Sequence, residues 1–214
     1  MLWLIPLLGF LLGSIPFGLI LGKLKGIDIR EHGSGNIGAT NLFRTLGKNI
    51  GITCLLLDFI KGFIPVLIAT KLAPDNTTGQ TIEVVTALAA ILGHNYSPWI
   101  GFKGGKGIAT SGGAIAALMP PVALGMLILI FIVVTKVTKY VSVGSIATAI
   151  ALPLLSFWGS WHHGKIADGS WNKPLFIFSL IAGAMAIWKH RTNLVRLRAG
   201  TEHKIGQKKK EETS

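Results

Sequence analysis

Charge is scarce in this chain: Asp, Glu, Lys and Arg make up 14% of its 214 residues, where a soluble domain carries about a quarter. The shortage is one-sided. Nine acidic residues face 21 Lys and Arg, leaving a formal net charge of +12. Cysteine is almost missing as well; Cys54 is the single one and lies in an apolar run, which excludes a disulfide within the chain. The opening Met-Leu-Trp-Leu-Ile has no positive stretch before it and no small-residue cleavage site after it. The first apolar run therefore reads as a retained span, not a signal peptide.

What fills the space is apolar residue, 50% of the total, with a mean hydropathy of +0.57. The apolar residues come in long runs without strand-like alternation, the pattern of a polytopic, all-α integral membrane protein. We place about seven transmembrane helices at 2–22, 49–70, 82–96, 107–119, 121–135, 141–158 and 174–188. The third and fourth fall short of the roughly 20 residues a full span needs, so they are expected to be tilted or partial helices. Pro120-Pro121 divides the fourth from the fifth.

The net positive charge does not point to nucleic acid, because the basic residues stand beside hydrophobic runs. Lys23, Lys25, Arg30, Arg44 and Lys48 share one loop, Lys136 and Lys139 another, and the chain beyond residue 189 is basic again. The positive-inside rule then puts the N-terminus outside and the C-terminus in the cytoplasm. Residues 1–206 read as one polytopic domain and 207–214, QKKKEETS, as a charged cytoplasmic tail.

Three polar clusters share the expected cytoplasmic face. The first is GSGNIGATN, residues 33–41, followed by Arg44. Its start matches the dinucleotide pattern G-x-G-x-x-G, but membrane helices flank it where a strand and a βαβ unit would be required. Glycines still let a backbone approach an anion closely, and successive N–H groups form a nest; a flexible loop is the plainer reading. The second cluster runs over 93–113 and contains His94 and GFKGGKGIAT. It is not a Walker A loop, since Gly107 follows Lys106. A glycine-rich turn before a helix nevertheless suits phosphate, with lysine as a point charge; an ordinary basic loop beside a span is the alternative. The third cluster, 189–206, holds His190, Arg191, Asn193, Arg196, Arg198 and Glu202. Basic residues after a last span commonly meet anionic lipid. Glu202 is less expected there, and we read it as an arginine partner that holds the tail to the bundle.

Two further features carry chemistry. Asp58, with Lys61 one turn later, is a carboxylate in the middle of an expected span, either a functional pair or a structural one. His163 and Asp168 form H-x-x-x-x-D, the spacing of common acyl-CoA-dependent glycerolipid acyltransferases, but in a loop on the opposite side from the clusters. We read that match as coincidence. No Ser-His-Asp arrangement is visible.

In order and on one face, GSGNIGATN with Arg44, Gly93-His94 with GFKGGKG, and HRTNLVRL with GTE resemble the three cytoplasmic motifs of the bacterial acyl-phosphate:glycerol-3-phosphate acyltransferases, the PlsY family. The resemblance covers nearly the whole chain. It implies transfer of an acyl chain from acyl phosphate to glycerol-3-phosphate, giving lysophosphatidic acid and phosphate, in the bacterial cytoplasmic membrane. It implies no metal and no cofactor, with an acyl-phosphate-producing enzyme as a candidate partner on the cytoplasmic face. On this basis Ser34, His190 and Asn193 are assigned to catalysis. Gly35, Asn36, Thr40, Asn41, Arg44, Lys103, Gly104, Gly105, Lys106 and Gly107 are assigned to phosphate binding, and Asp58, Lys61, His94 and Glu202 to support. The proton acceptor stays open between His190 or His94 and a phosphate of the substrate. Rival readings are a transporter of a phosphorylated solute, an acyl-CoA-dependent enzyme using His163 and Asp168, and a membrane scaffold. No internal repeat supports the transporter.

Overall fold

The computed structural model describes residues 2–206, so the expected tail at 207–214 lies outside the described residues. Among the described residues every regular element is helical. Short 3-10 turns aside, the helices are α1 (Ile5–Gly13), α2 (Phe17–Leu24), α3 (Ala39–Leu46), α4 (Lys48–Leu72), α5 (Thr77–Asn95), α6 (Ile108–Leu118), α7 (Pro121–Thr138), α8 (Val141–His162), α9 (Lys173–Lys189) and α10 (Arg191–Arg198). Four stretches are long and apolar enough to cross a membrane: Leu2–Leu24, Lys48–Leu72, Pro121–Thr138 and Val141–His162.

The run at 2–22 was expected to be one helix and is two. Pro16 follows the end of α1, has no N–H to continue the ladder, and stands immediately before α2. The backbone freed by this break is satisfied by side chains from elsewhere, as irregular backbone at membrane depth requires. Lys61 of α4 donates to the Ile15 carbonyl at 2.7 Å, and Ser97 donates to the Ser14 carbonyl at 2.6 Å. The Trp99 indole donates to Ser14 Oγ at 2.7 Å. Segment 82–96 begins earlier than expected, at Thr77, because Asn76 caps the helix by accepting from Gly79 N–H at 3.0 Å. The polar first turn hides this start from a hydropathy reading. Segment 107–119 is short, as expected, with 11 residues in α6.

Helix α4 is the hub, packed against α1, α2, α3, α5 and α6, while α7, α8 and α9 form a second layer joined through α5 and α9. Lipid removes the hydrophobic drive between helices, so small residues that allow close backbone approach take over. A Cβ on Gly62 of α4 would strike the backbone of Thr110 in α6, and one on Gly113 would strike Phe59 of α4. The α1–α5 crossing has the same construction at Gly13 and Gly93.

Successive helices run back and forth, so the N-terminal ends of α4, α6 and α8 gather with the C-terminal ends of α2, α5, α7 and α9. All three polar clusters lie at that end.

Candidate active site

A cavity of about 150 Å³ opens among these helix ends. Two helix starts face it, through Ala39 and Thr40 of α3 and through Ile108 and Ala109 of α6. The first N–H groups of a helix have no partner within it and favour an anion.

The loop before α3 is built by one side chain. Asn41 is 2% exposed; its oxygen accepts from Ser34 N–H at 2.9 Å, and its nitrogen donates to the carbonyls of Ile29, His32 and Asn36 at 3.2, 2.9 and 2.9 Å. Gly33 turns the chain with φ of +62°, and a Cβ there would overlap Asn41. Asn36 accepts from Gly38 N–H at 2.8 Å. This leaves the Ser34 side chain on the cavity wall, with Thr40 and Arg44 one helical turn apart on α3.

The second cluster delivers Lys106 and Gly107 to the cavity. Gly105 N–H donates to the His94 carbonyl at 3.2 Å, and a Cβ at Gly104 or Gly105 would collide with His94 or Asn95. These two glycines therefore seat the loop on α5. Lys103 is exposed and lies outside the cavity, which separates it from Lys106 three residues on.

The third cluster closes the ring with a hydrogen-bonded chain. Lys106 donates to Asn193 Oδ1, and Asn193 Nδ2 donates to Glu202 Oε1 at 2.7 Å. Ser142 donates to the same oxygen at 2.8 Å, and Arg196 Nε donates to Oε2 at 2.8 Å. Burial works against the Glu202 charge, but the bonds from Arg196, Asn193 and Ser142 outweigh it and hold the carboxyl below its ordinary value. Burial, and then Arg196, push the Lys106 ammonium down to about 8. His190 is 3% exposed. Its Nδ1 lies 2.7 Å from the Ala186 carbonyl, which can only accept, so Nδ1 carries the hydrogen and Nε2 keeps its lone pair. Burial, and then Lys106, push this imidazole down to about 4, leaving it neutral at pH 7.

Asp58, Lys61 and His94 form a separate buried group. Lys61 Nζ lies 2.7 Å from Asp58 Oδ1, and His94 Nδ1 lies 3.7 Å from the same oxygen. Asp58 and His94 border the cavity from behind, while Lys61 is bound to the break after α1.

The cavity thus gathers Ser34, Asn36, Thr40, Asn41, Arg44, Asp58, His94, Lys106, Gly107, His190, Asn193 and Glu202. Gly35, Lys61, Lys103, Gly104 and Gly105 are not on its wall. The site assignments omitted Ser142, Ser145 and Arg196, which do line it. A serine at the first turn of a helix that follows a basic loop was the available signal for Ser142. His163 and Asp168 are at the far end of α8, roughly 30 Å from Ser142 by helix rise. Asp168 is occupied locally by Ser170, at 2.9 and 2.6 Å. Among the described residues no group of His, Cys, Asp and Glu has the makings of a metal site.

Known proteins share this arrangement. The pattern of the glycerol-3-phosphate acyltransferase family matches residues 3–200. A glycerol-3-phosphate acyltransferase of Desulforamulus reducens is 49% identical over 202 residues, covering 94% of this chain and 93% of that one. The Geobacter sulfurreducens protein of the same description is 43% identical over 197 residues, covering 92% and 93%. A crystal structure of PlsY, described as an integral membrane glycerol 3-phosphate acyltransferase in its glycerol 3-phosphate form, superposes with a TM-score of 0.84 at 38% identity, over 96% of both chains. Its lysophosphatidic acid form gives 0.82 at 38% identity, over 96% and 95%. The fold is that of an all-helical integral membrane acyltransferase. The chain belongs to the glycerol-3-phosphate acyltransferase family, PlsY.

Proposed function

We propose that this protein moves an acyl chain from acyl phosphate to a hydroxyl of glycerol-3-phosphate, releasing lysophosphatidic acid and inorganic phosphate. The observation that carries the reading is the charge of the cavity. Arg44, Lys106 and Arg196 border it against Glu202, because Asp58 is already matched by Lys61. Two helix N-termini add to that excess. A site that must hold two phosphates at once needs such a surplus. The relatives named above, and the two ligand forms of the solved PlsY, support glycerol-3-phosphate as acceptor.

In this reading Arg44, Lys106, Ser34, Thr40 and the free N–H groups of α3 and α6 bind the phosphates. The glycerol hydroxyl oxygen attacks the acyl carbonyl carbon, the bond from that carbon to the phosphate oxygen breaks, and phosphate leaves. His190 Nε2 accepts a hydrogen bond from the attacking hydroxyl and orients it. An imidazole held at about 4 is a weak base beside a phosphate whose second pKa is about 6. The proton therefore ends on the departing phosphate, and no covalent enzyme intermediate is needed because the donor is already activated. Asn193 and Glu202 hold Lys106 and Arg196 in place.

A second cavity of about 470 Å³, walled by Phe43, Leu55, Phe131 and Thr135, continues from the first through Ala39, Thr40 and Arg44. It suits the donor's acyl chain. Counting α5, α6 and α9 beside the four long apolar stretches would give seven crossings and termini on opposite sides, and the basic loops support an external N-terminus and a cytoplasmic active site in a bacterial inner membrane. Residues 1–206 act as one domain that needs no cofactor, and an acyl-phosphate-producing enzyme would meet it at the cytoplasmic face.

The test uses purified protein in lipid, with glycerol-3-phosphate and either palmitoyl phosphate or palmitoyl-CoA, following lysophosphatidic acid and free phosphate together. Product from acyl phosphate alone is expected. Product only from the CoA ester would overturn the donor assignment, and no product from either would favour transport.

A further inference from the structure

After α10 the chain doubles back. Thr201 N–H donates to the Arg196 carbonyl at 2.9 Å, Glu202 turns into the active-site network, and His203–Gly206 then crosses the surface between α3 and the α7–α8 corner. This last stretch lies beyond the residues matched by the family, which end at 200. Its four residues are exposed. Ile205 N–H donates to the Lys139 carbonyl at 2.9 Å. Arg44 Nη2 donates to the His203 carbonyl at 3.4 Å, and the Lys204 ammonium stands 5.8 Å from the centre of the Tyr140 ring.

His203, Lys204, Ile205 and Gly206 make one wall of the second cavity. The opposite wall contains Phe43 and Leu55, which are 37% and 44% exposed on the outside of the bundle. An apolar groove that runs from a phosphate site to a lipid-facing flank accommodates the chain of a lipid-borne donor. The strap is exposed along its length and covers that groove from the surface, the kind of segment that opens locally at little free energy. Arg44 joins the strap to the chemistry. Its long bond to a neutral carbonyl is weaker than a charge-assisted bond to phosphate. Donor phosphate on Arg44 therefore loosens one anchor.

We propose that His203–Gly206 is a movable roof over the acyl groove, opening to admit the donor's chain from the lipid side and selecting it by length. This rests on the acyl-transfer reading above. A long chain must displace the roof or thread beneath it, whereas a short chain fits with the roof closed.

The experiment locks the roof. The bond from Ile205 N–H to the Lys139 carbonyl makes these two positions the pair to cross-link. In the full-length Lys139→Cys/Ile205→Cys variant, the native Cys54 is fully buried and does not compete. Oxidised and reduced forms are assayed with octanoyl phosphate and palmitoyl phosphate at fixed glycerol-3-phosphate. The oxidised form is expected to lose about tenfold or more in kcat/KM for palmitoyl phosphate while staying within about twofold for octanoyl phosphate, and reduction should restore it. As a second variant, Ile205→Trp narrows the groove without a cross-link. It should lower the palmitoyl-to-octanoyl ratio and leave the KM for glycerol-3-phosphate unchanged. An oxidised enzyme that handles both donors as the reduced one does, or loses both equally, overturns the roof. A wild-type enzyme that uses neither acyl phosphate overturns the acyl-transfer reading instead.

Discussion

Two buried charged groups lie side by side at the active end of the bundle, and they do different things. Asp58 and Lys61, with His94 against them, form a closed set: each side chain is under 5% exposed, positive and negative charge match, and Lys61 also mends the broken first span. Lys106, Asn193, Glu202, Arg196 and Ser142 form an open set, with more positive charge than Glu202 can match and a cavity on one side. Burial of a charge in a membrane protein is therefore a poor marker of chemistry on its own. Unmatched charge that faces a cavity is the better one.

The sharpest way to break the contrast is Asp58→Ala. Removing one partner of a buried pair leaves Lys61 uncompensated and should destabilise the protein by about 3–5 kcal/mol, read as a fall in the unfolding midpoint in detergent. Asp58→Leu combined with Lys61→Leu removes both charges and should recover part of that loss, the Ile15 carbonyl being left without its donor. If the double variant were as unstable as the single one, the bond to Ile15 would outweigh the matching of charge.

Lys106→Met should do the reverse, lowering kcat/KM by ~10²–10³ while the unfolding midpoint holds or rises. The free cavity also loses this charge as pH climbs through about 8, so KM for glycerol-3-phosphate should increase above that pH in the wild type and not in the variant.

His190, beside the open set, brings a pH dependence. Its folded pKa of about 4 lies below the ordinary 6.5, so the unfolded chain takes up the proton first. Stability from the neutral ring is complete above pH 6.5 and drains away as pH falls from 6.5 through 4, by at most about 3 kcal/mol. Acid unfolding curves of His190→Gln should lack that component.

The smallest effect belongs to Lys103→Ala. An exposed lysine outside the cavity should change kcat/KM by less than about twofold. A large loss would mean the second polar cluster contributes more than Lys106 and Gly107.

The long apolar spans α4, α7 and α8 were legible in the sequence because hydropathy and length suffice for them. The break at Ser14–Pro16 was not, since the groups that make it tolerable come from Lys61, Ser97 and Trp99. The same limit explains the site. Polar clusters were visible as departures from an apolar background, and the cavity does form among them. Asn41 looked like a phosphate ligand, but all its bonds stay within the loop, and only the folded loop reveals that. Lys103 and Lys106 look alike in a glycine-rich run until the chain turns between them. Glu202 was legible as an arginine partner, and Arg196 is that arginine; which of the basic residues it meets depends on the reversal of the chain after α10.

The unequal lengths of α6 and α7 have a consequence for where the reaction happens. The two run in opposite directions from Pro120, and α6 rises about 16 Å where α7 rises about 27 Å. Phe131, eleven residues along α7, is level with the start of α6 and borders the same cavity. The cavity floor is thus sunk about 10 Å below the tip of α7. On the proposed reaction, a water-soluble acceptor would descend a short shaft, while a lipid-borne donor would lift its head only slightly. On that reading the protein brings the watery partner down to the oily one.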